Sequence, residues 1–157
     1  MTKNKVFYGR KKVSVNKKRG NIIKIFTEVS YNYDKMNDIM SLGTHRLWKK
    51  DLVDKISYNL SNKKVSKILD IAGGTGDISL SILKKYPNNN ITILDLTPEM
   101  IKVGKSKAIE KNFIYNPIWI AGDSAELPFQ NSIYDIITCS FGIRNVAEIE
   151  KTLLSSN

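Results

Sequence analysis

The residues Asp70-Ile71-Ala72-Gly73-Gly74-Thr75-Gly76 put an acid at the end of an apolar run and three glycines just beyond it. Glycines allow positive φ and close approach of a ligand to the main chain. The free N–H groups of a following helix would face the same spot. This is the make-up of a nucleotide-type cofactor site at the carboxyl end of a strand. Asp95 ends the next apolar run, where its carboxylate can accept both hydroxyls of a ribose. Asp123-Ser124 follows the third run, where an acid and neighbouring N–H groups can read an adenine edge. Ser140-Phe141-Gly142-Ile143-Arg144-Asn145 follows the fourth, where a substrate would meet the reacting end of the cofactor. For each residue alone a turn or cap role competes with these. Their recurrence at successive strand ends favours a site.

The glycine spacing narrows the cofactor. A dinucleotide fingerprint lacks its third glycine, because Ser79 stands there, and no phosphate loop is present. The pattern acid-x-(Gly/Ala)-x-Gly-x-Gly fits, at Asp70, Ala72, Gly74 and Gly76.

The elements that must hold these residues follow from periodicity. Val65–Ile71, Ile91–Asp95, Ile118–Ala121 and Ile133–Cys139 read as four strands. Helical patterns fill the gaps: one follows the glycines and ends near Pro87, one starts at Thr97-Pro98, and one covers Val146–Leu154. Alternating strands and helices imply an α/β fold with a parallel sheet and right-handed crossovers. Ahead of the sheet, Ile22, Phe26, Val29 and Tyr33 predict a helix over 21–32, with a polar break at Asn37-Asp38. Trp48, Leu52, Ile56 and Leu60 predict a second helix from Arg46 to Leu60. The expected organisation is a basic arm over 1–20, a helical cap over 21–64 and an incomplete Rossmann-like domain over 65–157.

Composition sets the class. The chain has 157 residues, enough for one domain with a sizeable core, and no apolar run approaches the ~20 residues of a membrane span. The single cysteine, Cys139, excludes an internal disulfide and a cysteine-rich metal site, so no metal is expected. Cys139 itself reads as a small buried residue in a reducing compartment. Net charge is +10, and no acid precedes Glu28, whereas Lys3, Lys5, Arg10 and six further cations do. That segment either attracts an anionic surface or reflects a Lys-rich compositional bias.

Tyr33-Asp34-Lys35-Met36-Asn37-Asp38-Ile39-Met40-Ser41-Leu42-Gly43-Thr44-His45-Arg46-Leu47-Trp48-Lys49 resembles the N-terminal signature of the ubiquinone/menaquinone biosynthesis C-methyltransferase (UbiE) family. The stretch Leu69–Asp77 is similar to that family's form of the S-adenosylmethionine (SAM) methyltransferase glycine motif. Phe7–Val13, Ala125–Phe129 and Ser140–Asn145 resemble its further motifs. The resemblance covers nearly the whole chain. It implies a class I SAM methyltransferase fold, SAM as cofactor, and methylation of a ring carbon of demethylmenaquinol or a methoxy-polyprenyl-benzoquinol. Carried over by position, Gly73, Gly74, Thr75 and Gly76 hold the methionine end of SAM, Asp95 takes the ribose, Asp123 and Ser124 lie at the adenine, and Ser140 lies across the pocket. Where some members carry Asn-Ala, this chain has Asp123-Ser124. A group stabilising the developing phenolate would accelerate transfer, and Arg144 is the candidate, with Asn145 and Tyr33 orienting the hydroxyl or a water. Arginine holds its proton too tightly to be a base. His45, the only histidine, is expected to cap or pack.

Three further expectations follow. The prenylated substrate implies peripheral attachment at the cytoplasmic face of a membrane, aided by the basic arm. No nucleic acid is expected, because the Asp/Asn-Pro-Pro-aromatic run of base amino-methylating enzymes is replaced by Ser140-Phe141-Gly142; an RNA methyltransferase is nonetheless an alternative reading. The family's sheet has seven strands, in the order 3-2-1-4-5-7-6. The four read here would be ordered 3-2-1-4, leaving the fourth strand as an open edge able to self-associate. A truncated, inactive SAM-binding remnant is therefore the other alternative.

Overall fold

A computed structural model describes residues 5–60, 66–114, 117–130, 132–140, 142–146, 148 and 150–152. Four parallel strands form the sheet: β3 (Lys67–Ile71), β4 (Asn90–Asp95), β5 (Ile118–Ala121) and β6 (Ile136–Thr138). They follow an antiparallel hairpin of β1 (Lys5–Tyr8) and β2 (Lys11–Ser14). The order across the sheet is β5-β4-β3-β6. Counted from the first strand of this sheet, that is the expected 3-2-1-4. Ile68 pairs with Ile91 on one side and with Ile136 on the other, so β3 is central.

Helices among the described residues include α1 (Val15–Val29), α2 (Tyr33–Met40), α3 (His45–Leu60), α4 (Asp77–Lys85) and α5 (Pro98–Glu110). On one face of the sheet, Ile68, Ile91 and Ile93 pack with Val53 and Ile56 of α3, Ile78, Ile82 and Leu83 of α4, and Ile101 of α5. On the other, Leu69, Ile71 and Leu94 are covered by Leu127, Phe129 and Tyr134. With both faces buried, the strands read as nearly continuous apolar runs. Burial of one such side chain contributes about 1.5–3 kcal/mol.

Several boundaries differ from the sequence reading. The segment expected as a basic arm folds into the hairpin and the first turns of α1. Gly9, at φ +59°, makes the tight connection, and Ser14 caps α1 by accepting the Lys17 N–H at 3.3 Å. The sheet is preceded by three helices rather than two. The polar Asn37-Asp38 pair does not break the chain, because α2 is a surface helix with no buried residue and tolerates polar positions. The expected strand Ile133–Cys139 is ordered as β over Ile136–Thr138 alone. Before it, Ser132 has φ +61° and Tyr134 turns edge-on to Phe129, with centroids 5.1 Å apart. Of the expected last helix, residues 150–152 are helical, and 153–157 lie outside the described residues. Val65, expected to open the first strand, also lies outside them.

Candidate functional site

The glycine loop gets its shape from three positive φ values in succession of function: Ala72 at +52°, Gly74 at +58° and Gly76 at +77°. Gly73 is needed for closeness, since a Cβ there would stand 2.7 Å from the Ile93 side chain and 3.0 Å from the Asp70 carboxylate. The loop opens onto a cavity of about 290 Å³ at the carboxyl ends of β3 and β4. Gly73, Gly74, Thr75, Asp95, Asp123, Ser124 and Ser140, all expected at the site, line this cavity, as do Tyr33 and Asn145. Phe26, Met40, His45 and Trp48 from α1–α3 form its roof.

Gly76 is the exception among the expected binding residues, for it does not line the cavity. A Cβ there would come within 2.6 Å of Trp119 and 2.9 Å of Ile93, so the position is fixed by packing under the first turn of α4. Arg144 belongs to the 3₁₀ turn Ile143–Asn145, and its side chain lies outside the described residues.

Asp95 braces the loop. One carboxylate oxygen accepts the Gly74 N–H at 2.8 Å and the other the Thr97 N–H at 2.9 Å. Burial raises its carboxyl above the usual range, and these two N–H donors pull the other way. The Thr97 hydroxyl is a third donor to this carboxylate, which as an acceptor of about four hydrogen bonds keeps room for one more. Asp70 lies deeper, with 1% exposure, and accepts from Ser79 Oγ at 2.6 Å and Thr138 Oγ1 at 2.8 Å. Burial pushes its carboxyl up to about 6; the two hydroxyls oppose the shift and the Asp95 charge adds to it. Burial, and then Asp70 and Asp95, push the Cys139 thiol up to about 11, which makes it an inert packing residue.

A charge network missed by the sequence reading joins the roof to the loop. Lys107 of α5 places its ammonium 2.5 Å from Asp34 Oδ2, 2.5 Å from Asp77 Oδ1 and 3.1 Å from the Thr75 hydroxyl. Thr75 Oγ1 in turn donates to Asp34 at 3.0 Å, and Lys49 reaches Asp77 at 2.7 Å. Burial would raise the Asp77 carboxyl, but Lys107 and Lys49 outweigh it and bring it to about 2. Asp34 lies in the signature stretch, whereas nothing in the sequence marks Lys107. Arg19 makes a second such tie, its guanidinium 2.5 Å from Asp123 and 3.0 Å from Glu148. His45 begins α3 as a buried residue, with Nδ1 2.7 Å from Ser41 Oγ and Nε2 3.4 Å from Asp38. It packs and pins the turn as expected.

The architecture has solved counterparts. A Methanococcus maripaludis protein, described as a candidate S-adenosyl-L-methionine-dependent methyltransferase, superposes with a TM-score of 0.66 at 15% identity, over 82% of this chain and 56% of that one. The YcgJ protein of Bacillus subtilis matches at TM-score 0.53 and 29% identity, over 58% of this chain and 38% of that one. The fold is therefore that of the Rossmann-like methyltransferases. The sequence model of the ubiE/COQ5 methyltransferase family matches residues 12–156, and the chain belongs to that family. The ubiquinone/menaquinone biosynthesis C-methyltransferase UbiE of Rickettsia massiliae is 43% identical over 96% of this chain. Its counterpart in Cereibacter sphaeroides is 40% identical over 97%. The chain spans about 60% of the length of these curated relatives.

Proposed function

We propose that this chain binds SAM and serves the C-methylation of a prenylated quinol, either a demethylmenaquinol or a 2-methoxy-6-polyprenyl-1,4-benzoquinol. The observation that carries the reading is the convergence of Gly73, Gly74, Asp95, Asp123 and Ser140 on one cavity roofed by the signature helices. The residues fit the cofactor: the glycines give main-chain access, and the two acids can accept from hydroxyl and amino groups. When bound, SAM supplies a methyl group already activated by its sulfonium.

In this reading the loop from Gly73 to Gly76 fixes the methionine end through the backbone. The Thr75 hydroxyl is committed to Asp34 and Lys107, so Thr75 contributes its main chain, and Gly76 acts by setting the start of α4. Asp95 holds the ribose with its remaining lone pair, Asp123 and Ser124 border the adenine, and Ser140 closes the far wall. Arg144 stabilises the oxygen of the quinol as its O–H proton passes to water. Tyr33 and Asn145 orient that hydroxyl. The ring carbon beside it would thereby be nucleophilic toward the methyl group that SAM would supply. The helices up to Leu60 serve as a cap, and the sheet region as the cofactor-binding domain. Residence is peripheral at the inner face of a membrane. Among the described residues no helix is long and apolar enough to cross one.

Calorimetric titration tests the reading. SAM should bind and NAD should not. Asp95→Ala should weaken SAM binding by about 1–3 kcal/mol, the usual loss of hydrogen bonds to a charged group. Binding of NAD in place of SAM would overturn the assignment.

A further inference from the structure

The turn between α2 and α3 exposes an unusual concentration of apolar side chains. Leu42 is 91% exposed, Met40 77%, Leu47 68%, Ile39 66% and Trp48 59%, all within ten residues. The backbone of this corner is stiffened against collapse. Gly43 N–H donates to Asp38 O at 2.9 Å, Thr44 N–H to Ser41 O at 3.0 Å, and Leu47 N–H to Thr44 O at 3.0 Å. Leu42 itself is held at φ +49°, a conformation unfavourable for a branched residue, at the outermost point of the turn. An exposed apolar cluster of this kind on a soluble fold marks an interaction surface.

Two observations decide the occupant. The corner is continuous with the cavity, because Met40 and Trp48 are exposed and also line it. The fringe is positive in balance: Lys35, Arg46, Lys49 and Lys50 stand in the same stretch as Asp34 and Asp38, and although Arg46 is paired with Asp38 and Lys49 with Asp77, Lys35 and Lys50 are exposed beside the corner. Apolar tips, a tryptophan at the boundary and surrounding cations are the make-up of an interfacial anchor on an anionic bilayer.

We propose that the α2–α3 corner is a membrane-docking wedge: Ile39, Leu42 and Leu47 enter the acyl boundary of an anionic leaflet, with Met40 and Trp48 forming the lip through which the cavity opens to lipid. This rests on the prenylated-quinol reading for its purpose. It lets the ring enter the cavity while the isoprenoid tail stays in the bilayer, so the tail need not be transferred to water.

The test uses the full chain and vesicles of phosphatidylcholine with and without phosphatidylserine, the anionic lipid that gives a leaflet its negative surface potential. Wild type should co-sediment with the anionic vesicles and less with neutral ones. Trp48 fluorescence should shift to the blue, and nitroxide-labelled acyl chains should quench it. Leu42→Asp combined with Leu47→Glu should lower the partition coefficient by roughly tenfold or more, as loss of two buried leucines implies. Neither side chain lines the cavity, so SAM affinity by calorimetry should be unchanged in that variant. A Lys12→Ala/Lys11→Ala variant of the hairpin should retain vesicle binding with its quenching. Equal binding of wild type and the Leu42/Leu47 variant overturns the proposal, as does absence of vesicle binding by wild type. A self-association that disappears in the variant, with no lipid binding, overturns it in favour of a second copy as occupant. Failure to bind SAM would remove the quinol reading while leaving the vesicle result to stand or fall alone.

Discussion

Asp70→Asn should make the protein more stable at pH 8 and leave it equal or slightly weaker at pH 4. The Asp70 carboxyl is pushed from its usual 3.8 to about 6 in the folded state, chiefly by burial. A carboxyl raised on folding holds its proton more tightly in the native chain. Its contribution to stability is complete below pH 3.8 and is lost as pH rises through 6. At about 1.4 kcal/mol per unit, a shift of that size costs about 3 kcal/mol above pH 6. Asparagine removes this cost and keeps the volume. Its carbonyl can still accept from Thr138, but Ser79 must rotate to accept from the new amide, at a cost of about 1 kcal/mol. The net gain at pH 8 should be about 2 kcal/mol, falling to about −1 kcal/mol at pH 4. Urea unfolding of both proteins by circular dichroism at pH 4, 6 and 8 measures the difference, in which titrating groups other than Asp95 and Cys139, the two that feel the Asp70 charge, cancel. A difference that does not change with pH would refute the argument, because it would mean that Asp70 carries the same charge folded and unfolded throughout.

Other expectations follow from the same structure. Lys107→Met should cost about 2 kcal/mol of stability, less than a fully buried pair because its partners are partly exposed, and NMR titration should find the Asp77 carboxyl above its present value of about 2. In wild type the Asp77 contribution is present above pH 3.8 and is lost as pH falls through 2, so the variant should show a shallower acid limb. Gly104→Ala should lower the melting temperature, because a Cβ there runs into the Trp119 ring and lies 3.0 Å from Thr75 O; adding Trp119→Leu should recover part of the loss. On the proposed quinol reading, in which Arg144 faces the substrate oxygen, Arg144→Gln should lower turnover by roughly 10²–10³ while SAM affinity, read by calorimetry, stays the same.

The glycine loop and the strand ends were legible because strand, turn and helix each leave a local mark, whereas the sheet order came from the family resemblance. Asp70, Gly74 and Asp95 sit where periodicity changes, and a single sequence displays such changes. The hairpin was less legible. Lys5–Tyr8 and Lys11–Ser14 are short and carry lysines on both sides, so alternation is weak, and only Gly9 signalled the turn. The start of α1 was hidden likewise, since its first turn is Asn- and Lys-rich, although Ser14 stood in a capping position. The Lys107–Asp34–Thr75 network left no local trace at all: its members are 41 and 32 residues from Thr75 and meet only once the helices are stacked. The packing demand on Gly76 was hidden for a related reason. The loop motif and the packing demand of Trp119, brought in from a later strand, ask for glycine at the same place.

The first helix has an order of events written into its contacts. Lys18 donates to Val146 O across 128 residues, and Arg19 reaches Glu148 across 129. As the chain leaves the ribosome, α1 is made early and these partners much later. Until residues 123–148 have emerged, Arg19 lacks Asp123, Glu126 and Glu148 and Lys18 lacks the Val146 carbonyl, whereas α5, whose Glu99 accepts from Thr27 at 2.9 Å, is already available to α1. Closing so large a loop is slow compared with local helix formation. The nascent protein therefore passes through an interval in which α1 can lean on α5 while its basic edge, Lys18 and Arg19, waits unpaired for residues 123–148.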